Sequence, residues 1–265
     1  MSSRLALITG ASAGIGAALA RVYASHGYDL AITARRADRL QALAEEIRLR
    51  HGVEVLVLPA DLADAAAPRN LLDEIAAHGR GVDALVNNAG YGLAASYAAS
   101  DWVDQAAFLQ VMLTAVCELT HKTLPGMLDR RFGRIVNVAS LAGLAPGAVG
   151  GLYSATKAFL VRFSQSLHLE TRGSGVHVCA LCPGFTYSEF HDVNGTRAQV
   201  GERIPAWMWL GADEVAAAGY EAAEANRPIC VTGAPNKAIA AVAKILPDEW
   251  GMALMSRQRD RARQG

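Results

Sequence analysis

Thr9-Gly10-Ala11-Ser12-Ala13-Gly14-Ile15-Gly16 is the stretch that decides the fold. It follows Leu5-Ala6-Leu7-Ile8, a short continuous apolar run of the kind expected of a parallel strand covered on both faces. It precedes Ile15, Ala18, Leu19, Val22 and Tyr23, which recur at helical spacing. A glycine triplet alone is weak, because a structural turn uses the same residues. Placed between a first strand and an amphipathic helix, it specifies more. Gly10 permits a tight turn, Gly14 leaves room for a pyrophosphate against the backbone, and Gly16 lets the helix pack close to the sheet. The N–H groups at the start of that helix then face an anion.

Working outward, strand and helix alternate. Gly27 closes the first helix and Leu30-Ala31-Ile32-Thr33 gives a second strand. Leu40, Leu43, Ala44 and Ile47 mark a helix ending near Gly52, and Val53 to Leu58 reads as a third strand. Leu71, Leu72 and Ile75 lie on the next helix. Ala84-Leu85-Val86, Arg134 to Val138, Val176 to Leu181 and Ile229-Cys230-Val231 supply four more strands. Repeated units of this kind predict an α/β fold, a Rossmann-type doubly wound parallel sheet of about seven strands with helices on both faces. At 265 residues, 52% of them hydrophobic, the chain suits one domain spanning 1–265. From about 185 to 212 it turns irregular, reading as a cap on the core or a lid over a site, and about 236–265 reads as a variable helical part. Lys237 to Leu246 is amphipathic, and Arg257 to Gly265 is expected to fray.

Composition excludes several classes of function. Lys+Arg and Asp+Glu cancel at 25 each, so no net field draws the chain to nucleic acid or an anionic membrane. No stretch approaches ~18 uninterrupted apolar residues, and the N-terminus carries no h-region, so the expectation is a cytoplasmic protein without a membrane span. Cys179 and Cys182 lie three apart on a strand and should face opposite ways, a structural pair rather than a metal or redox site. Cys117, Glu118 and His121 share a helix with Thr114, but mixed ligands at such spacing make a weak metal signal, and no metal is expected.

The end of the second strand selects between two nucleotides. An NAD site places a carboxylate there for the ribose 2′-OH, whereas NADP requires a cation for the 2′-phosphate. The chain reads Thr33-Ala34-Arg35-Arg36-Ala37-Asp38-Arg39. Asp29 lies before the strand and Asp38 inside the next helix, neither placed for the ribose. Arg35 follows Ala34 directly, and its guanidinium fork suits a phosphate. Arg36 and Arg39 either assist or are solvated helix charges. NADP(H) is the cofactor this pattern favours.

Tyr153-Ser154-Ala155-Thr156-Lys157 opens a long helix and places a phenol and an ammonium on one face. A free tyrosine has a pKa of about 10, and a cation beside it favours the phenolate. Ser140 ends the strand Asn137-Val138-Ala139-Ser140 at the carboxyl edge, where its hydroxyl can donate to an oxygen that gains charge. A tyrosine and lysine four apart occur often by chance. The glycine loop upstream and Ser140 give this pair its meaning.

Together, Thr9-Gly10-x-x-x-Gly14-Ile15-Gly16, Asn87-Asn88-Ala89-Gly90, Ser140, Tyr153-x-x-x-Lys157 and Pro183-Gly184 resemble the short-chain dehydrogenase/reductase family over roughly residues 4 to 190. The resemblance implies a catalytic set of Ser140, Tyr153 and Lys157, with Lys157 also holding the nicotinamide ribose. It implies cofactor contacts from Gly10, Ser12, Gly14, Ile15 and Gly16, and from Asp61 and Leu62 at the adenine end. Asn88-Ala89-Gly90 would line the cofactor and brace the sheet, and Pro183, Gly184 and Thr186 would border the nicotinamide. The substrate implied is a small-molecule ketone, aldehyde or alcohol, and the habit of the family is a homodimer or homotetramer through helices near 105–125 and 153–172.

One position departs from the pattern. Met112, in Gln110-Val111-Met112-Leu113-Thr114, stands where the family usually carries an asparagine that helps hold a water linking the lysine to solvent. A thioether is only a weak acceptor. Backbone groups or Gln110 would have to hold that water, or proton relay is slower. The rival reading is a non-catalytic NADP(H)-binding sensor or partner-binding protein that kept the fold. An epimerase or dehydratase fits the glycine spacing poorly. Leu93, Leu144, Phe190, Trp207 and Trp209 favour an apolar substrate pocket, with His191 and Asp192 near its mouth.

Overall fold

The computed structural model describes residues 3–93, 96–144, 151–189, 205–247, 249–250 and 252–253. The strands in chain order are β1 (Leu5–Thr9), β2 (Asp29–Thr33), β3 (Val55–Val57), β4 (Ala84–Asn87), β5 (Gly133–Val138), β6 (Val176–Cys182), β7 (Thr186–Tyr187), β8 (Leu210–Gly211) and β9 (Ile229–Val231). The helices are α1 (Gly14–Ser25), α2 (Ala37–His51), α3 (Ala67–Ala77), α4 (Trp102–Leu109), α5 (Ala115–Asp129), α6 (Tyr153–Glu170), α7 (Ala212–Glu224) and α8 (Ala234–Ile245). Seven strands pair in the order β3-β2-β1-β4-β5-β6-β9, all parallel. The order reverses between β1 and β4, so the crevice for a ligand opens at the carboxyl ends of those strands.

Alternation along each strand sorts the core into two layers. Ala6, Ile8, Leu30, Ile32 and Leu181 face Leu19, Tyr23, Leu40 and Val215 on one side. Leu5, Leu7, Leu85, Ile135 and Val178 face Leu71, Ile75 and Leu119 on the other. Each fully buried aliphatic chain contributes roughly 1.5–3 kcal/mol, so the two layers dominate the stability of the sheet. Cys179 and Cys182 fall into different layers, as strand geometry requires. Among the described residues, no helix is long and apolar enough to cross a membrane.

Buried polar groups tie the centre of the sheet to its helices. Asn87 and Asn137 are register partners on β4 and β5. The Asn87 amide donates to Asn137 Oδ1 (2.8 Å) and Thr120 Oγ1 (3.2 Å), and the Asn137 amide donates to Ser164 Oγ (2.9 Å). This chain joins α5, β4, β5 and α6, the helix that begins at Tyr153. A strand-internal asparagine is unfavourable alone, but paired this way it fixes the lateral position of α6.

Several elements differ from the sequence reading. Asp29 opens β2 rather than preceding it, accepting from the Glu54 amide (2.9 Å) and pairing with Arg80 (2.9 Å). Burial would raise its pKa, but hydrogen bonds from Ser3, Glu54 and Arg80 hold it below the usual range. β3 is shorter than Val53 to Leu58, although the Leu58 amide still donates to Ile32 (3.0 Å). Gln110–Thr114 forms a π-helical turn between α4 and α5. The short parallel pair of β7 and β8 lies inside the irregular segment. Residues 190–204 of that segment, with Phe190, His191 and Asp192, lie outside the described residues, as does 254–265.

Candidate active site

The glycine loop is bolted to the end of β4. Thr9 Oγ1 accepts from the Asn88 and Ala89 amides (2.9 and 3.0 Å), and the Asn88 side chain donates to the Thr9 and Gly10 carbonyls (2.9 and 3.2 Å). Gly10 has φ +66°, and a Cβ there would lie 2.8 Å from Ala89 Cα, so both conformation and space demand glycine. Asn88 therefore shapes the loop, while Asn87 does the bracing within the sheet. α1 begins at Gly14 with no side-chain cap, which leaves its first amides free for an anion. That cradle, with cations beside it, fits the diphosphate of a dinucleotide.

The three arginines diverge. Arg35 is exposed and makes no hydrogen bond or ion pair among the described residues. Burial raises the Tyr91 pKa, while Arg35 lowers it and Asp61 raises it, which puts both charges around that ring. Asp61 itself accepts from the Ala63 amide (3.0 Å), and Leu62 beside it is buried. Arg36 instead turns onto the glycine loop, its Nη2 and Nε donating to Ser12 Oγ (3.0 and 3.3 Å). Its Nη1 pairs with Glu189 (2.8 Å), which Arg39 also contacts.

The catalytic candidates converge at the carboxyl edge of β5. Ser140 is extended and its Oγ accepts from the Ala142 amide (3.1 Å), capping the 3-10 turn Leu141–Gly143. The same hydroxyl is hydrogen-bonded to the Tyr153 phenol. Lys157 is buried, with Nζ donating to the Val138 carbonyl (2.7 Å) and lying 5.7 Å from the centre of the Tyr153 ring. Gly143 makes this convergence possible. A Cβ there would stand 2.6 Å from the Lys157 carbonyl carbon and oxygen.

Protonation departs from the simple expectation that Lys157 lowers the Tyr153 pKa. Burial pushes Tyr153 up to about 12, and the Ser140 hydrogen bond only partly opposes it. Burial also pulls Lys157 down to about 8, with Cys182 acting slightly against that. The lysine is desolvated against the Val138 carbonyl, and burial outweighs the charges that raise its pKa. The folded chain releases the Lys157 proton at lower pH than the unfolded chain, so its contribution is greatest above the unfolded value near 10.5 and is lost as pH falls through about 8. Between pH 8 and 10, wild-type stability should rise relative to Lys157→Met by about 1–3 kcal/mol. Parallel denaturation curves across that range would contradict this.

The Pro183 carbonyl accepts from the Leu141 amide (2.8 Å), joining the end of β6 to the Ser140 turn. Gly184 packs against Asn236, a buried residue on α8 that donates to the Thr232 carbonyl (2.8 Å). Thr186 is buried and donates to the Gly184 carbonyl (3.2 Å). Trp209 stacks on Tyr187 (5.0 Å between centroids) and tilts over Phe185 (5.6 Å), forming an aromatic wall, while Trp207 is exposed. Met112 is buried with its sulfur over Gly90, where a Cβ would meet it at 2.9 Å. The Gln110 side-chain amide nitrogen is buried and finds no acceptor among the described residues. Glu118 pairs with Lys122 (3.9 Å), and the described residues contain no group of three His, Cys, Asp or Glu able to hold a metal.

Residues 4–198 match the model of the short chain dehydrogenase family. The chain belongs to that family. The NADP-dependent 3-hydroxy acid dehydrogenase YdfG of Salmonella typhi is 35% identical over 234 residues, 87% of this chain and 86% of that protein. Sulfoacetaldehyde reductase 2 of Chromohalobacter salexigens is 38% identical over 190 residues, 71% and 75% of the two chains. A short-chain dehydrogenase from Sphingobium yanoikuyae, solved with NADPH, superposes with a TM-score of 0.80 at 29% identity, covering 98% of this chain and 95% of that one. As a short-chain dehydrogenase, the chain is an oxidoreductase acting between CH–OH and C=O groups. Two residues at the site carry no signal in the sequence. Asn236 carries no motif around it, and Glu189 acquires meaning only when the fold brings it to Arg36 and Arg39.

Proposed function

We propose that this NADP(H)-dependent oxidoreductase transfers hydride between NADPH and a ketone or aldehyde, or oxidises the corresponding alcohol, on a predominantly apolar substrate. The observation that carries this is the Tyr153 phenol joined to Ser140 with Lys157 buried behind it. NADPH, when bound, supplies the hydride. Tyr153 gives a proton to the carbonyl oxygen, and a pKa near 12 keeps that proton in place at neutral pH. Ser140 donates to the same oxygen as charge builds on it. Lys157 holds the base of the site through the Val138 carbonyl and orients the cofactor ribose. Gly10, Ser12, Gly14, Ile15, Gly16, Arg35, Asp61, Leu62, Asn88, Ala89, Gly90, Pro183, Gly184 and Thr186 hold the cofactor in this reading.

The packed rings of Phe185, Tyr187 and Trp209 support an apolar substrate, because a charged one would lose hydration against that wall. A panel of ketones and aldehydes followed by NADPH oxidation tests this. Trp209→Ala should raise KM for bulky apolar ketones about tenfold. Turnover of small, highly charged substrates alone would count against it. We take 1–265 as one catalytic domain in which 185–212 covers the substrate. Exposed Trp102, Val103, Phe159 and Leu169 on α4 and α6 support a homodimer or homotetramer. The four free thiols suit the cytoplasm.

A further inference from the structure

Glu189 reaches across 150 positions of chain to Arg39. Its carboxylate also pairs with Arg36 Nη1 at 2.8 Å, while the Nη2 and Nε of the same guanidinium hold Ser12 of the glycine loop. The residue before it lies on that loop too, since a Cβ at Gly14 would meet Ser188 Cβ at 2.9 Å. The two residues after β7 are therefore laid down over the loop, with the Glu189 carboxylate in an arginine clamp. Two cations on one carboxylate leave the clamp with an excess positive charge. A phosphate monoester carries about −1.5 to −2 charge at neutral pH and three acceptor oxygens, so it satisfies two guanidinium groups better than a carboxylate does.

We propose that Glu189 is an intramolecular competitor for the cofactor's 2′-phosphate, occupying the Arg36–Arg39 clamp until NADP(H) displaces it. NAD(H), lacking that phosphate, leaves Glu189 seated. Glu189 is thus a selectivity residue that weakens NADP(H) binding and leaves NAD(H) binding alone. It also couples the adenine end of the cofactor to β7, which follows Pro183 at the Ser140 turn. This rests on the NADP(H) reading above and extends its 2′-phosphate site from Arg35 to the neighbouring Arg36 and Arg39.

Direct titration of NADPH and NADH, followed by nicotinamide fluorescence, tests both layers. The proteins compared are wild type, Glu189→Gln, Arg36→Ala/Arg39→Ala and the triple variant. Because the ion pairs are partly exposed, Glu189→Gln should tighten NADPH only about three- to tenfold, with NADH changed less than about twofold. The double variant should weaken NADPH selectively, and the triple variant should then bind NADPH like the double. Equal tightening of both nucleotides by Glu189→Gln, no change, or weaker NADPH binding overturns the competitor. If the double variant still weakens NADPH selectively in those cases, the clamp assignment survives. If the double variant leaves NADPH binding unaffected, the assignment and the competitor fall together.

Discussion

Tyr153→Phe is expected to lower kcat by about 10³- to 10⁴-fold while the Kd for NADPH stays within about twofold. The substitution removes one oxygen and keeps the ring, so the packing at the start of α6 survives. What disappears is the proton that Tyr153 holds at neutral pH through its pKa of about 12, and the hydrogen bond to Ser140. A carbonyl that accepts hydride without a proton donor must take its proton from water, which is slower and poorly placed. A loss smaller than tenfold would show that another group delivers the proton, and Ser140 would be the first to examine. Parallel loss of NADPH affinity would instead indicate that the phenol holds the cofactor rather than the reacting oxygen.

Gly143→Val should cost about 10²-fold in kcat and roughly 1–3 kcal/mol of stability, although residue 143 touches neither proton nor hydride. A Cβ at Gly143 would lie 2.6 Å from the backbone carbonyl of Lys157 and 2.8 Å from the amide of Ala158. These are main-chain atoms of a helix that Asn137 and Ser164 pin to the sheet, so they cannot swing aside as a side-chain tip would. Relief comes only by parting the Ser140 turn from α6, which separates Ser140 from Tyr153. The expected signature is a fall in kcat, with NADPH affinity reduced much less, because the glycine loop lies on β1 and α1. Wild-type kcat in Gly143→Val would mean that the turn and the helix are less rigidly opposed than the packing implies.

The sheet is legible in the sequence because short apolar runs of three to six residues, separated by helical periodicity, leave little choice but parallel strands. Ile229-Cys230-Val231 is readable to the residue for that reason. The catalytic set is legible because Tyr153 and Lys157 are local neighbours, and Ser140 marks the end of a readable strand. Side-chain direction at the nucleotide site is not. Arg35 and Arg36 are adjacent and chemically identical, and only the folded chain shows which one turns to Ser12. Protonation is hidden as well. Spacing brings a cation beside a phenol, but the degree of burial, which decides the sign of the Tyr153 shift, belongs to the packed site. Asn87 could be misread as a cofactor residue because its motif continues into Asn88, whereas its amide is consumed by Asn137 and Thr120. The π-helical turn around Met112 has no signature in a propensity pattern, because one inserted residue preserves the composition of the helix.

In the proposed reaction, Tyr153, Lys157 and Ser140 carry hydride chemistry on a carbonyl rather than merely retaining a nucleotide fold. The most direct measurement follows the hydride itself, using NADPH that carries deuterium at the transferable position of its nicotinamide and an apolar ketone that turns over in the panel. Mass spectrometry of the product should find one deuterium on the carbinol carbon, delivered by wild type and lost in Tyr153→Phe. NADPH that binds tightly yet passes no deuterium to any ketone or aldehyde tested would overturn the proposed reaction, and would leave a protein that senses the cofactor without using it.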